Sequence, residues 1–253
     1  MDRGLYAAAS GGMMQFRKLD VVTNNLANLN SPGFKKQALQ GAEQTFDVTL
    51  ARLVEKDDPY ARDDHARTPG VIDVRTITDF SVGPVRDTGN ALDVALRNPN
   101  DFFVVETSKG TQYTRAGNFT LGQGGQLVTQ DGFPVQSDGG ALTIDNGTPR
   151  IGPDGSVLVD GASVGKLRVV RFEDPSGLER AEGTRFNQGR ASAPSDVEPD
   201  VVPQALEMAN ISVISAVVDL MTANRGFQMY TKSSETIDAM NQISINQYGR
   251  RNR

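Results

Sequence analysis

Cysteine is absent from the 253-residue chain, which excludes disulfides and every metal site built on thiolates. Histidine is nearly absent too: the single copy, His65, sits in the polar run Arg62-Asp63-Asp64-His65-Ala66-Arg67. Without a second histidine, zinc sites of the usual nitrogen and sulfur type cannot be assembled, and a lone loop histidine among charges reads as solvated. Asp63 and Asp64 could serve an oxygen-ligand cation site, yet no spacing resembles an EF-hand loop. Nucleophile and phosphate-binding motifs are also missing. Gly122-Gln123-Gly124-Gly125 lacks both the dinucleotide-loop spacing and a following helix, so it reads as a hairpin turn. Aromatics make up only 6% of the chain, so any single core is thin for this length. The net charge of −5 argues against the basic field that nucleic-acid binding needs, and Arg250-Arg251-Asn252-Arg253 reads as a solvated end. No apolar run approaches the ~20 residues of a membrane span. Ser10-Gly11-Gly12 interrupts the first apolar stretch, so no Sec-type signal peptide is readable. The expectation is a non-enzymatic chain with no cofactor, no metal, no nucleic-acid partner and no membrane insertion.

What is present is periodicity at both ends. Leu5, Gly12, Leu19 and Leu26 recur by seven, and Ala9, Phe16 and Thr23 follow the first three of them by four. That 4-3 alternation places a narrow stripe along a helix, the seam type of coiled coils. Toward the other end Leu206, Val213, Leu220 and Phe227 repeat by seven, flanked by Val217, Tyr230, Ile237 and Ile245. A helix over residues 206–245 would be about 60 Å long, too long to be covered by a compact domain of this size. Between the ends, short β-branched and aromatic runs (Phe102-Phe103-Val104-Val105, Gln126-Leu127-Val128-Thr129, Ser156-Val157-Leu158-Val159, Lys166-Leu167-Arg168-Val169-Val170) alternate with Asp131-Gly132, Asp138-Gly139, Asn146-Gly147, Asp154-Gly155 and Asp160-Gly161. Such dipeptides supply the positive φ that two-residue hairpin loops require. The expected fold is α+β: long N- and C-terminal α-helices pairing as a coiled-coil-like layer around a central antiparallel β-rich domain. The expected boundaries are an N-terminal helix over 1–36, a connecting region over 37–81 whose start could continue as helix, and the β-rich domain over 82–190. A Pro-containing extended linker over 191–205 and a C-terminal helix over 206–253 complete it.

Three blocks of residues then resemble one family. Leu19-Asp20-Val21-Val22-Thr23-Asn24-Asn25-Leu26-Ala27-Asn28-Leu29-Asn30-Ser31-Pro32-Gly33-Phe34-Lys35 is similar to the N-terminal signature of bacterial flagellar axial proteins, the rod, hook and hook-associated subunits. Tyr113-Thr114-Arg115-Ala116-Gly117-Asn118-Phe119 through Gly125-Gln126-Leu127-Val128-Thr129-Gln130-Asp131-Gly132-Phe133-Pro134-Val135 resembles the β-domain motif of the longer rod proteins and the hook. Leu206-Glu207-Met208-Ala209-Asn210-Ile211-Ser212, Asn224-Arg225-Gly226-Phe227 and Thr236-Ile237-Asp238-Ala239-Met240 resemble the C-terminal segments. The chain departs from the family at Asn98-Pro99-Asn100-Asp101, where a glycine turn is usual. Its length and Met1-Asp2-Arg3 start lean towards the proximal over the distal rod type.

The resemblance implies a structural rod subunit of the flagellar basal body, exported through the type III apparatus without a cleaved signal peptide. Its partners would be itself, other rod subunits and neighbouring rod or hook-side axial proteins. The expected assembly interface is Leu5, Phe16, Leu19, Asn24, Asn25, Leu26, Asn28, Phe34, Leu206, Val213, Val217, Leu220, Asn224, Phe227 and Ile237. Asn24 and Asn28, four apart on one helix face beside the seam, would fix register between helices, and Phe34 would anchor the chain exit on a partner. A different class, an oligomeric β-domain binding module or adhesin whose helices only gather it, fits the same architecture.

Overall fold

The structure, a computed structural model, describes residues 3–45, 69–144 and 147–251. His65, the Asp63-Asp64 pair and most of the charged stretch after residue 45 lie outside the described residues. The chain divides into two units, one of residues 1–26, 37–77 and 213–253 and one of residues 27–36 and 78–212.

The first unit holds both helices, α1 (Arg3–Ala27) and α2 (Val213–Arg251), and a hydrogen-bonded strand pair, Gln37–Thr45 with Pro69–Thr78. The start of the expected connecting region is thus strand, not continued helix. α1 and α2 run in opposite directions where they meet, since Gly12 faces Tyr230 and Gln15 faces Gly226. A Cβ on Gly12 would fall 2.1 Å from the Tyr230 ring, so only glycine admits that approach. The contact is local. The expected coiled-coil-like layer of long paired helices is not formed: among the described residues there are two α-helices of unequal length, 25 and 39 residues, and the seam side chains Phe16, Val213 and Phe227 stay exposed. Leu206 is not helical at all, because it lies in the strand Ala205–Glu207. The seven-residue period there continues the helix pattern by coincidence, whereas Pro203 and the pairing of Leu206 with Arg86 hold the backbone extended.

The second unit is β-rich. Its largest sheet has six antiparallel strands in the order Glu179–Arg180, Arg185–Asn187, Gly110–Thr114, Asp101–Thr107, Val169–Arg171, Ser195–Val197. The run Phe102-Phe103-Val104-Val105 sits at its centre and is buried on both faces, which is why it is continuously apolar rather than alternating. Phe103 joins Val94, Leu96, Phe119, Leu127 and Val169 in one core cluster. Phe102 and Val104 join Tyr113, Phe172, Leu178 and Phe186 in another. Aromatics within these clusters meet edge to face, as in Phe102–Phe172 (5.6 Å, 82°) and Phe103–Phe119 (5.1 Å, 80°), a geometry worth about 0.5–1.5 kcal/mol beyond area burial. Asp160 and Gly161, with φ of 48° and 90°, turn the hairpin Ser156–Val159 to Ala162–Lys166, as the dipeptide predicts. The glycine-rich segment 122–125 turns between Thr120–Leu121 and Leu127–Val128. Residues 191–205 are extended but stitched into sheets: Val197 opposes Val169 and Val201 opposes Leu96.

Candidate functional site

The opening signature resolves into two pieces with different work. Helix α1 stops at Ala27, so Asn28 stands in the following turn and does not share a helix face with Asn24. Ser31 closes that turn, its N–H donating to the Asn28 carbonyl at 3.1 Å and its hydroxyl to Asn28 Oδ1 at 3.2 Å. Asn25 is buried and pairs with the strand after the turn: Nδ2 donates to the Gln37 carbonyl at 2.7 Å, and Oδ1 accepts the Gln37 N–H at 2.9 Å. The amide therefore copies a peptide group and satisfies both backbone atoms of Gln37. Asn25→Ala should leave them unpaired, at a cost of about 1–3 kcal/mol. Hydrogen exchange at the Gln37 amide is the readout: it should accelerate in Asn25→Ala and stay unchanged in Asn24→Ala.

Gly33 follows with φ of 68°, a region that side chains disfavour, and its N–H donates to the Glu207 carbonyl at 2.7 Å. A Cβ there would lie 2.3 Å from the backbone nitrogen of Ala116. Gly33→Ala should therefore destabilise the β-rich unit by at least about 1–3 kcal/mol, read as a lower urea midpoint. Phe34 is fully buried within its own unit under the Arg180 guanidinium, 4.2 Å from the ring centroid. It anchors the chain exit on this subunit, where the sequence suggested a partner.

Next comes a charge cluster that the sequence did not reveal. Lys35, Arg115 and Glu207 have side chains 0–1% exposed. Glu207 Oε1 accepts from Lys35 Nζ at 2.7 Å and from the Gly83 N–H at 2.9 Å, while Oε2 accepts from Arg115 Nε at 2.7 Å. The remaining cationic donors are met by carbonyls. Lys35 Nζ reaches Ser81 O at 2.6 Å, and Arg115 Nη1 reaches the carbonyls of Asn98, Pro99 and Asp101 at 2.8, 3.0 and 2.7 Å. Burial pushes the Lys35 pKa below its ordinary value, with Glu207 pulling the other way. The 98–101 turn, made without glycine, is shaped by Asn98, whose carbonyl and Oδ1 accept from the Asp101 and Asn100 N–H groups. One residue past Lys35, the Lys36 N–H donates to Asn210 Oδ1 at 2.7 Å, and Asn210 Nδ2 donates to Asp79 O at 2.8 Å. Each of the three sequence blocks that carry the resemblance thus contributes one charged group to a single buried site.

The other candidate residues lie on the helices. Leu5 and Ile237 occupy α1 and α2, with side chains outside the described residues. Leu19, Leu26, Val217 and Leu220 are half-buried, and Asn24 is exposed. Asn224 is exposed and accepts from Gln228 Nε2 at 3.1 Å. Phe16 is 61% exposed and, with Gly12, Met13, Arg17, Phe227 and Tyr230, lines an apolar groove of about 340 Å³. Sequence periodicity missed a second face of α2. Ile214, Val218, Met221, Met229 and Ile243 are all exposed, Ile214 by 79%, and at 100° per residue they share an arc of about 80°. Buried Ala216 and Ala223 occupy the opposite side. A helix apolar on opposite sides is not satisfied by one packing partner, and this second stripe is about 44 Å long.

These features define a class: a structural subunit with a closed β-rich unit and helices whose apolar faces call for neighbouring chains. The chain belongs to the family of flagellar basal-body rod proteins. Residues 5–35 match the family described as flagella basal body rod protein, residues 98–159 the flagellar hook protein FlgE/F/G D1 domain, and residues 202–247 the flagellar basal body rod FlgEFG protein C-terminal family. It is 31% identical over 259 residues to the flagellar basal-body rod protein FlgF of Caulobacter vibrioides, covering 100% of both chains. It is 33% identical over 276 residues to the flagellar basal-body rod protein FlgG of Bacillus subtilis, covering 97% of this chain and 99% of that one. With the FlgF of Salmonella typhimurium it shares 29% over 257 residues, covering 94% and 95%.

Proposed function

We propose that the chain is a non-enzymatic structural subunit of the flagellar basal-body rod, in the proximal position, joined to copies of itself and to neighbouring rod or hook-side subunits. The observation that carries this reading is the exposed apolar stripe of α2 together with the groove at Phe16 and Phe227. Buried apolar side chains contribute about 1.5–3 kcal/mol each, so a stripe of five such residues favours a covered state strongly. The stripe and the groove are different surfaces of the same subunit, so contacts between copies would be heterologous and repeat without closing, which generates a filament. The assembly residues are those on the helices: Phe16, Leu19, Asn24, Leu26, Val213, Val217, Leu220, Asn224 and Phe227, together with the stripe from Ile214 to Ile243. Asn25, Phe34 and Leu206 serve the subunit's own fold. Passage through the type III export apparatus without cleavage of a signal peptide belongs to the same reading.

Relatives named FlgF and FlgG match at similar identity, so position along the rod needs its own test. In basal bodies imaged by cryo-electron microscopy, density for this chain should lie between the shorter rod subunits and the distal rod. Density confined to the distal segment would overturn the proximal assignment.

A further inference from the structure

The β-rich unit carries a second feature that its fold does not use. A cleft of about 270 Å³ opens between the hairpin Asp101–Thr107 to Gly110–Thr114 and the hairpin Glu179–Arg180 to Arg185–Asn187, lined among others by Thr107, Lys109, Gln112, Arg180, Glu182 and Arg185. Three cations therefore face one small space. The Lys109 ammonium is exposed and touches Glu182 at 3.0 Å. Such an exposed pair is weak and exchanges partners readily.

The two arginines differ from Lys109: Arg185 is buried and Arg180 half-buried, and each keeps one buried nitrogen without a hydrogen-bond partner. Arg185 has a side chain only 6% exposed. Its Nε donates to Glu182 O at 3.3 Å, its guanidinium lies over the Phe133 ring at 4.1 Å, Nη2 lies 4.0 Å from the exposed Glu182 carboxylate, and Nη1 stands 3.4 Å from Asp131 Oδ2 without a hydrogen bond. Arg180 is stacked on Phe34 and Phe186, at 4.2 and 5.5 Å, and donates to the carbonyls of Lys35 and Gly183. Its Nε is buried with no hydrogen-bond partner, and desolvation holds its pKa down to about 10, so it remains charged at neutral pH. No carboxylate pairs with Arg180 among the described residues' ion pairs. Buried polar atoms without partners are rare in native proteins, and a guanidinium N–H is costly to leave so.

We propose that this cleft is an anion site that takes a carboxylate group between the Arg180 and Arg185 guanidiniums, with Lys109 at its mouth. Charge-assisted bonds to a carboxylate are the strongest donors of this kind can form, and they would satisfy both orphaned N–H groups. The volume lies below the roughly 300–1,000 Å³ of sites for drug-sized ligands, which suits one or two carboxylates rather than a large molecule. The carboxylate has two sources, an acidic side chain of a protein partner or a small free dicarboxylate. Both share the same recognition chemistry. The site is independent of the helix faces, so it stands or falls apart from the assembly reading.

Titration of the full chain at low salt with succinate, and separately with an acetylated and amidated Asp-Glu-Asp-Glu peptide, tests it by backbone amide shifts. At least one titrant should saturate, moving the amides of residues 107–112 and 180–187. Binding should weaken on addition of salt. Lys109→Gln should weaken it by about threefold and Arg180→Gln by about tenfold, the loss of one charge-assisted contact each. Lys109 is exposed, so its variant should melt as the parent does and keeps the test valid if Arg180→Gln is unstable. Arg150→Gln, an exposed cation elsewhere in the unit, should change nothing. A peptide at least about tenfold tighter than succinate assigns a protein partner, and equal affinities assign a free anion. Failure of both titrants to saturate, or equal losses in Lys109→Gln and Arg150→Gln, would overturn the site.

Discussion

Glu207→Ala is expected to cost the β-rich unit about 3–5 kcal/mol, because it leaves two buried cations facing each other without their shared counter-charge. That is a large part of the 5–15 kcal/mol that holds a typical domain together. Urea unfolding of the full chain, followed by fluorescence from Tyr113 and the other tyrosines, should show the midpoint collapsing. The cost is asymmetric within the cluster. Lys35→Met removes one cation but leaves Glu207 bound to Arg115 and to the Gly83 N–H, at 2.7 and 2.9 Å, so its loss should be clearly smaller. A cycle of Lys35→Met with Glu207→Gln should return a coupling within the 0.5–3 kcal/mol range of contacting residues. Additive effects would mean that the 2.7 Å contact between them contributes nothing. Burying such a cluster is rarely the cheapest way to gain stability, since desolvation opposes the Coulombic attraction. What it does here is geometric. Residue 35, residue 115 and residue 207 come from three distant segments, and only one arrangement of those segments lets the carboxylate meet both cations.

The second large effect concerns assembly. Replacing Ile214 and Met221 together by aspartate should leave the folding of the β-rich unit unchanged, because both side chains are exposed and lie in the other unit. Assembly should fail. Losing two apolar side chains from an interface forfeits at least about 3 kcal/mol, which weakens each contact by about a hundredfold. Introducing two charges into the covered face adds to that. Cells carrying the double variant should contain the folded subunit and yet lack completed rods, whereas Ala216→Ser, on the opposite face, perturbs the subunit itself. Normal rods from the double variant would place the assembly contacts elsewhere.

Much of this architecture is legible in the residues themselves. Asp160-Gly161 predicts its hairpin, and the glycine-rich 122–125 segment predicts a turn. These features are local, decided by backbone φ and by side chains within a few positions. The helices show where local reading stops. A seven-residue period through Leu206, Val213, Leu220 and Phe227 identifies a stripe, but it does not separate helix from strand at Leu206, where pairing with Arg86 decides. Nor does it separate a helix buried on one face from one apolar on two, so Ile214, Val218 and Met221 do not stand out in the sequence. The long-paired layer fails for the same reason, since a period says what could pack and not what does. The charge cluster was invisible on physical grounds: its members are 92 and 172 positions from Glu207, and each alone looks like an ordinary surface charge. The asparagines divide. Asn25 is an internal lock on Gln37, while Asn24 faces outward and remains a candidate for contact between subunits.

The absence of cysteine makes the decisive measurement clean. Single cysteines at Ile214, Met221 and Met229 give one thiol each, whose maleimide labelling rate reports exposure in the isolated chain and in purified basal bodies. The account predicts fast labelling of all three in the isolated chain and at least about tenfold slower labelling after assembly, as expected for side chains moved from water into a packed interface. Ala216→Cys should be slow in both states. Equal rates at the three stripe positions before and after assembly would contradict the claim that this face of α2 is where the rod subunit meets its neighbours.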